Sequence, residues 1–380
     1  MKPAPHYAPY PLQPAPVYKR WWAAGLVFFA VLGALLCIWS LSSSEKVVQA
    51  VLFEGFPVAG GVAVLWAFCF LARALTCQLN RDNAACYSET ADRITRQWWD
   101  EHRTGASLVE RVLLAPSCSA PQVATDIRWD EHKPAVSNAS GQGAAVRHPQ
   151  VHGDDVQERE RQLAVLLALQ WHVQRKAAAA LAPQSCYWQG SMSSWTAFAA
   201  QATQSDPTLV LPERPELFRG IDTLDSIIDS MQGAAADSRV LCAGCQSTAI
   251  IEGSPVPAGE AAFLWVMAPS GGVRVCRGEW YDAGADPLAA VAERAMQQAG
   301  LTAPTAACVS FAQPDMPDLP ACGWNLDTQG QDAHFGALPG LQGPVALTLA
   351  AMHVAQQGVP CSWLAADPHH TLALGIVNIP

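Results

Sequence analysis

Two runs near the N-terminus set the pattern of this chain. Trp21 to Leu41 is apolar throughout and carries no charge. Phe56 to Ala72 is apolar and Gly-rich, and Val51 to Phe53 can extend it. A helix needs about 20 apolar residues to cross a bilayer, and the hydrocarbon core tolerates no unsatisfied backbone. The two runs therefore predict transmembrane helices at about 21–41 and 54–73, forming a hairpin over residues 19–76.

The flanking charges orient the hairpin. Lys19 and Arg20 precede the first run, beside Trp21 and Trp22. Arg73, Arg81, Arg93 and Arg96 follow the second, while the short loop offers Lys46 among Glu45 and Glu54. Basic residues near span ends stay cytoplasmic, and Trp sits at the membrane interface. Both termini are expected inside. If only the first run crosses, everything after Leu41 lies on the opposite side.

Beyond the hairpin the periodicity changes. Residues 1–18 are Pro-rich and expected to be extended or disordered. Residues 77–135 read as a mostly helical connector, with Trp98, Trp99, Leu108, Val109, Val112 and Leu113 as its buried face. Residues 136–153 read as a linker, leaving His148 and His152 solvated. Residues 154–380 alternate helices with short apolar strands, which predicts a layered α/β domain. Its helices are expected at 154–181, 195–202, 223–231, 287–299 and 345–357. Its strands are expected at 186–189, 239–243, 261–267, 273–280, 305–311, 361–365 and 371–379.

Charge and cysteine content narrow the class. A net charge of −10 excludes the basic stripe that a nucleic-acid surface needs. The 12 Cys residues are scattered in apolar surroundings without regular spacing, which reads as reduced core thiols. Cys242-Ala-Gly-Cys245 follows a strand and opens no helix, so packed thiols are expected there and not a redox pair. His369 and His370, with Asp367, form a turn whose histidines are expected to face solvent; no metal or other cofactor is expected. Ser191 follows a strand in Gly190-Ser191-Met192-Ser193, which lacks the second Gly of a nucleophile elbow.

An internal duplication is also legible. The helix 222–231, strand 240–243, turn and strand 261–267 repeat as helix 344–357, strand 361–365, turn and strand 372–379. Four segments fall in the order found in one known family. They are Asp222-Thr223-Leu224-Asp225-Ser226, Val240 to Gly244, Gly259-Glu260-Ala261-Ala262-Phe263, and His334 to Gly340. In this the chain, over about 185–380, resembles the thiolase fold of β-ketoacyl synthases. That resemblance implies two α/β halves around a central helix layer and a dimer built through a central strand.

The chemistry of that family is not matched. Asp225 or Ser226 stands where the resemblance puts the nucleophilic Cys at a helix N-terminus. Gln313 and Ala337 stand where it puts the two histidines, and His334 lies two residues early relative to Gly336. The domain is read as a degenerate ketosynthase-like scaffold without catalytic residues. A membrane anchor joined to such a domain also resembles adaptor proteins associated with type VI secretion. That implies a bacterial inner-membrane adaptor holding a secretion component or effector. The alternative is an acyl-group or lipid-linked enzyme with unfamiliar catalytic residues.

Overall fold

The computed structural model describes residues 5–14, 18–41, 56–116, 138–140, 143–175, 181–254, 256–284, 286–311, 323–324 and 331–379. The chain divides into two compact units, Pro3–Trp98 and Trp99–Pro380.

The first unit holds α1 (Tyr18–Leu41) and most of α2 (Phe56–His102). The second apolar run does not end where the bilayer would. It continues without a break into the polar segment that follows, because neither Pro nor a capping Gly interrupts 73–102. One segment among the described residues, Gly60–His102, is long and apolar enough to cross a membrane by length and composition. The sequence reading expects two. Side chains at 36, 37 and 39–41 of the first run lie outside the described set. The helices run antiparallel, since Phe29 and Trp21 meet Trp66 while Tyr18 meets Phe70. Gly25 allows the approach: a Cβ there would stand 2.7 Å from the Trp66 ring.

Residues 5–14 of the Pro-rich tail form neither helix nor strand. They lie along α2, with Tyr10 against Tyr87 and the Gln13 N–H bonded to Asn80.

Among the described residues the second unit is built on a ten-stranded sheet, whose first strand falls where a helix is expected. Within the expected helical connector, Gly105–Leu114 forms β1. Leu108, Val109, Val112 and Leu113 fit a helical spacing as well as a strand buried on both faces, so periodicity alone cannot separate the two. The neighbours β7 (Glu260–Ala268) and β8 (Val273–Cys276) decide, pairing antiparallel with β1 on its two sides. The α/β unit thus begins near Trp99 and not at 154.

The expected linker is likewise tied down in part. It contributes β2 (Asn138–Ser140) and β3 (Gly143–Ala145), a small hairpin. Val146 then donates to the Ala258 carbonyl at 2.7 Å. His148 is buried, not solvated, because its N–H donates to Glu260 at 2.5 Å. Glu260, fully buried, also accepts two hydrogen bonds from Arg159 and one from Ser247, and Arg147 lies 3.4 Å away. A buried carboxylate is tolerable only when paired this completely.

The remaining elements alternate. They are α3 (Val156–Gln174), β4 (Ser185–Gln189), α4 (Met192–Ser205), β5 (Glu216–Leu217), α5 (Ile221–Met231) and β6 (Val240–Ser247). After β7 and β8 come β9 (Glu279–Tyr281), α6 (Leu288–Gln298), β10 (Ala307–Ser310), the short α7 (Asp332–Phe335), α8 (Gln342–Gln357), β11 (Cys361–Ala365) and β12 (Leu372–Asn378). The strand order is β10-β11-β12-β8-β1-β7-β6-β4-β5, with β9 beside β12.

The duplication is visible in this order. In each half a helix (α5, α8) feeds a strand (β6, β11) that pairs parallel with an earlier strand, β4 or β10. An antiparallel partner (β7, β12) follows. Alternation along β6 and β7 separates the layers. Cys242, Phe263 and Trp265 face one core with Leu224, Ile228, Leu347 and Ala350 of α5 and α8. Leu241, Leu264 and Val266 face the other, with α3 and α4. The two duplicated helices therefore share one layer against the sheet.

Candidate functional site

The site begins where α5 begins. Gly220, at φ 63°, starts the helix and brings no side chain to cap it. The first backbone donors of a helix need partners from elsewhere. One comes from the turn between β11 and β12: the Asp367 carboxylate accepts from the Ile221 N–H at 3.0 Å. A Cβ at Gly220 would collide with that carboxylate, so Gly is required there both for its positive φ and for the approach. The other oxygen of Asp367 accepts from the His369 N–H at 2.9 Å.

His370 completes the turn's attachment. Its ring stacks on Trp280 at 4.3 Å and meets Asp282 at 3.2 Å, with Asp222 of α5 at 3.9 Å. The hydrogen bond from His370 holds the Asp282 carboxyl below its ordinary value. Asp367 and His370 thus clasp the helix start, while His369 is exposed as the sequence predicts.

Behind this clasp lies a cavity of about 20 Å³, lined by Phe218, Ile221, Leu224, Trp265, Leu347 and Trp363 among others. That is room for about one water molecule. The strand pleat and the α5–α8 layer put these large side chains on one face, and they fill it.

The positions singled out by the sequence are not assembled around this cavity. Asp225 sits one turn into α5, 3.8 Å from Arg277. Burial pushes its carboxyl up to about 7, against the opposing pull of Arg277. Ser226 turns back on its own helix and donates to the Asp222 carbonyl at 2.9 Å. The Ala337 N–H donates to Pro257 at 2.8 Å, fixing the segment before α8 against the β6–β7 connection. His334 lies on α7, half-buried. Gln313 falls outside the described residues. Asp225, Ser226 and Ala337 are not among the described residues that line the cavity.

Cys242 and Cys245 face opposite sides of the sheet, one in each core. Three residues along a strand reverse the side-chain direction, so the two thiols are not neighbours in one pocket. Both are buried, and burial raises both thiol pKa values.

Ser191 is the N-cap of α4, accepting from the Ser194 N–H at 3.3 Å. It follows β4 through Gly190 at φ 146°, a strand–turn–helix geometry despite the incomplete motif. Its hydroxyl donates to the Ser194 hydroxyl at 3.1 Å and lies 3.0 Å from that of Ser193. Burial raises the carboxyl of nearby Glu160 on α3, which accepts from the Ser247 N–H at 3.4 Å.

No known family profile matches this chain, and no curated protein does. Solved structures do. The ketosynthase from module 1 of the bacillaene synthase from Bacillus amyloliquefaciens FZB42 superposes with a TM-score of 0.51 at 9% identity, covering 74% of this chain and 72% of that one. The ishigamide ketosynthase/chain length factor gives 0.48 at 16% identity, covering 72% and 99%. OleA of Xanthomonas campestris gives 0.40 at 12% identity, covering 73% and 97%. With the duplicated halves, the superposition on the bacillaene synthase ketosynthase shows a thiolase-like layered α/β fold.

Proposed function

We propose that this chain is a membrane-anchored adaptor whose thiolase-like domain binds a protein partner and does not transfer acyl groups. One observation carries this reading: the α5 N-terminus is filled by the Asp367 carboxylate, over a cavity of about 20 Å³. An acyl-transfer site would need a nucleophile at that end and space for a chain. The membrane part of the reading draws on the helix Gly60–His102, whose apolar part is long enough to cross a bilayer. Its hairpin form draws on the antiparallel aromatic contacts of α1 with α2, and on tail residues Gln13 and Pro14 meeting Arg73, beyond the second apolar run. Lys19, Arg20, Trp21 and Trp22 then mark the cytoplasmic interface. The partner class, a type VI secretion component or effector, and a homodimer through the domain rest on the sequence resemblance.

A second reading has its own observation. Ser191, capping α4 at a strand–turn–helix junction after Gly190, supports acyl or lipid-linked chemistry at an unfamiliar residue.

The test is to expose the full chain in detergent to acyl-thioester and fluorophosphonate probes and to map adducts by mass spectrometry. The adaptor reading expects no adduct on the folded protein. An adduct at Ser191 overturns it. Reporter fusions after Ala85 and after Pro380 test the hairpin. Cytoplasmic signal at both points is expected, and periplasmic signal would mean that only the first run spans.

A further inference from the structure

The tail and the helix it lies on match each other in spacing and in hydrogen-bonding capacity. Arg73, Cys77, Asn80 and Tyr87 occur at intervals of four, three and seven, which puts them on one face of α2. Each meets the tail. The Tyr10 and Tyr87 rings lie 5.6 Å apart. Asn80 accepts from the Gln13 N–H at 2.8 Å and donates to the Pro11 carbonyl at 3.5 Å. Arg73 donates to the Gln13 side chain at 2.9 Å and to the Pro14 carbonyl at 3.4 Å. The Cys77 thiol points at the same Pro14 carbonyl at 3.6 Å.

The chemistry explains the fit. A polyproline-type segment makes no internal hydrogen bonds and leaves its carbonyls free to accept. Proline lacks an N–H, so Gln13 supplies a backbone donor between Pro11 and Pro14, and that donor is used. The lengths agree too. Tyr10 to Gln13 spans about 9 Å in a polyproline helix, and Tyr87 to Asn80 spans about 10 Å along α2. Such a segment is already stiff, so ordering it costs less entropy than ordering a flexible one.

We propose that the face of α2 formed by Arg73, Cys77, Asn80 and Tyr87 is a docking surface for an extended proline-rich segment, occupied in cis by residues 5–14. This rests on the contacts within the first unit and not on the function proposed above. It makes the tail a removable strap, and the face beneath it a site that a second proline-rich segment can take.

Cys77 is a built-in probe, since it is 4% exposed while Cys86, nine residues on, is exposed. The experiment is maleimide labelling of the full chain in detergent, read per cysteine by peptide mapping, beside a chain lacking residues 2–14. Cys77 is expected to react at least about ten-fold slower than Cys86 in the intact chain, a protection of about 1.4 kcal/mol. Deletion should bring it towards the Cys86 rate, and a synthetic peptide of residues 1–17 should restore protection. Equal rates in the intact chain, unchanged protection after deletion, or no effect of the peptide would each overturn the proposal. A Gln13→Cys, Asn80→Cys double variant separates the sources of the strap. A disulfide within one chain is expected, and one between chains would overturn occupancy in cis.

Discussion

Asp367 caps α5 through the backbone N–H of Ile221, 146 residues earlier in the chain. The helix start is thus stabilised from the other half of the duplication. Replacing an N-cap acceptor costs about 1 kcal/mol, within a range of about 0.5–2. Asp367→Ala should lose about that much, seen as a lower denaturant midpoint at unchanged slope. Asp367→Asn should retain most of it. An Ala variant as stable as the parent would remove this contact from the account of the fold.

The carboxylate of Glu260 joins the segment 147–159 to the sheet, and breaking it should be more costly. Removing one partner of a buried ion pair destabilises by about 3–5 kcal/mol. Arg159→Met leaves Glu260 buried with Arg147 3.4 Å away and the Ser247 and His148 donors. We expect a loss at the lower end of that range. Arg159→Met combined with Glu260→Gln should lose less than the sum of the two single changes, since no unpaired charge remains.

Asp225 predicts a dependence on pH. Its folded-state carboxyl is held at about 7, above the ordinary 3.8, so the folded protein binds that proton more tightly than the unfolded chain. The stability this group contributes is full below the unfolded value and is lost as pH rises through the folded one. Asp225→Asn, fixed in the neutral form, should flatten the fall in stability between about pH 4 and about pH 7. Denaturation midpoints measured across that window check it; parallel curves for parent and variant would contradict the assignment.

The thiols should divide by environment. Burial pushes Cys186 and Cys308 up to about 12 and Cys276 to about 11. The thiolate is the reactive form, so these residues, with Cys242 and Cys245, should label only after unfolding, while Cys86 labels in the native protein. Oxidation of the folded protein should not join Cys242 to Cys245, as a reduced and non-reduced peptide map will show.

Much of the order of elements was legible in the sequence. The helix starting at Pro287 and the strand Cys361–Ala365 were marked by a Pro and by a short apolar run, which are local signals. The duplicated helix–strand–turn–strand order was legible for the same reason. The site was not. Asp367 was visible as a turn residue, but its partner Ile221 and the Trp280 ring under His370 come from distant segments.

By itself, then, the sequence determined what local chemistry determines: an apolar segment fit for a membrane, the alternation of helix and strand, and that no Cys stands between Cys186 and Cys242. Tertiary structure alone decided that Gly105–Leu114 is a strand, because only β7 and β8 on its two sides could choose between readings that fit its spacing equally. It alone put a carboxylate from one half at the helix start of the other. Backbone donors and buried charges must find partners, and which partners they find depends on which distant segments the fold brings within hydrogen-bond reach.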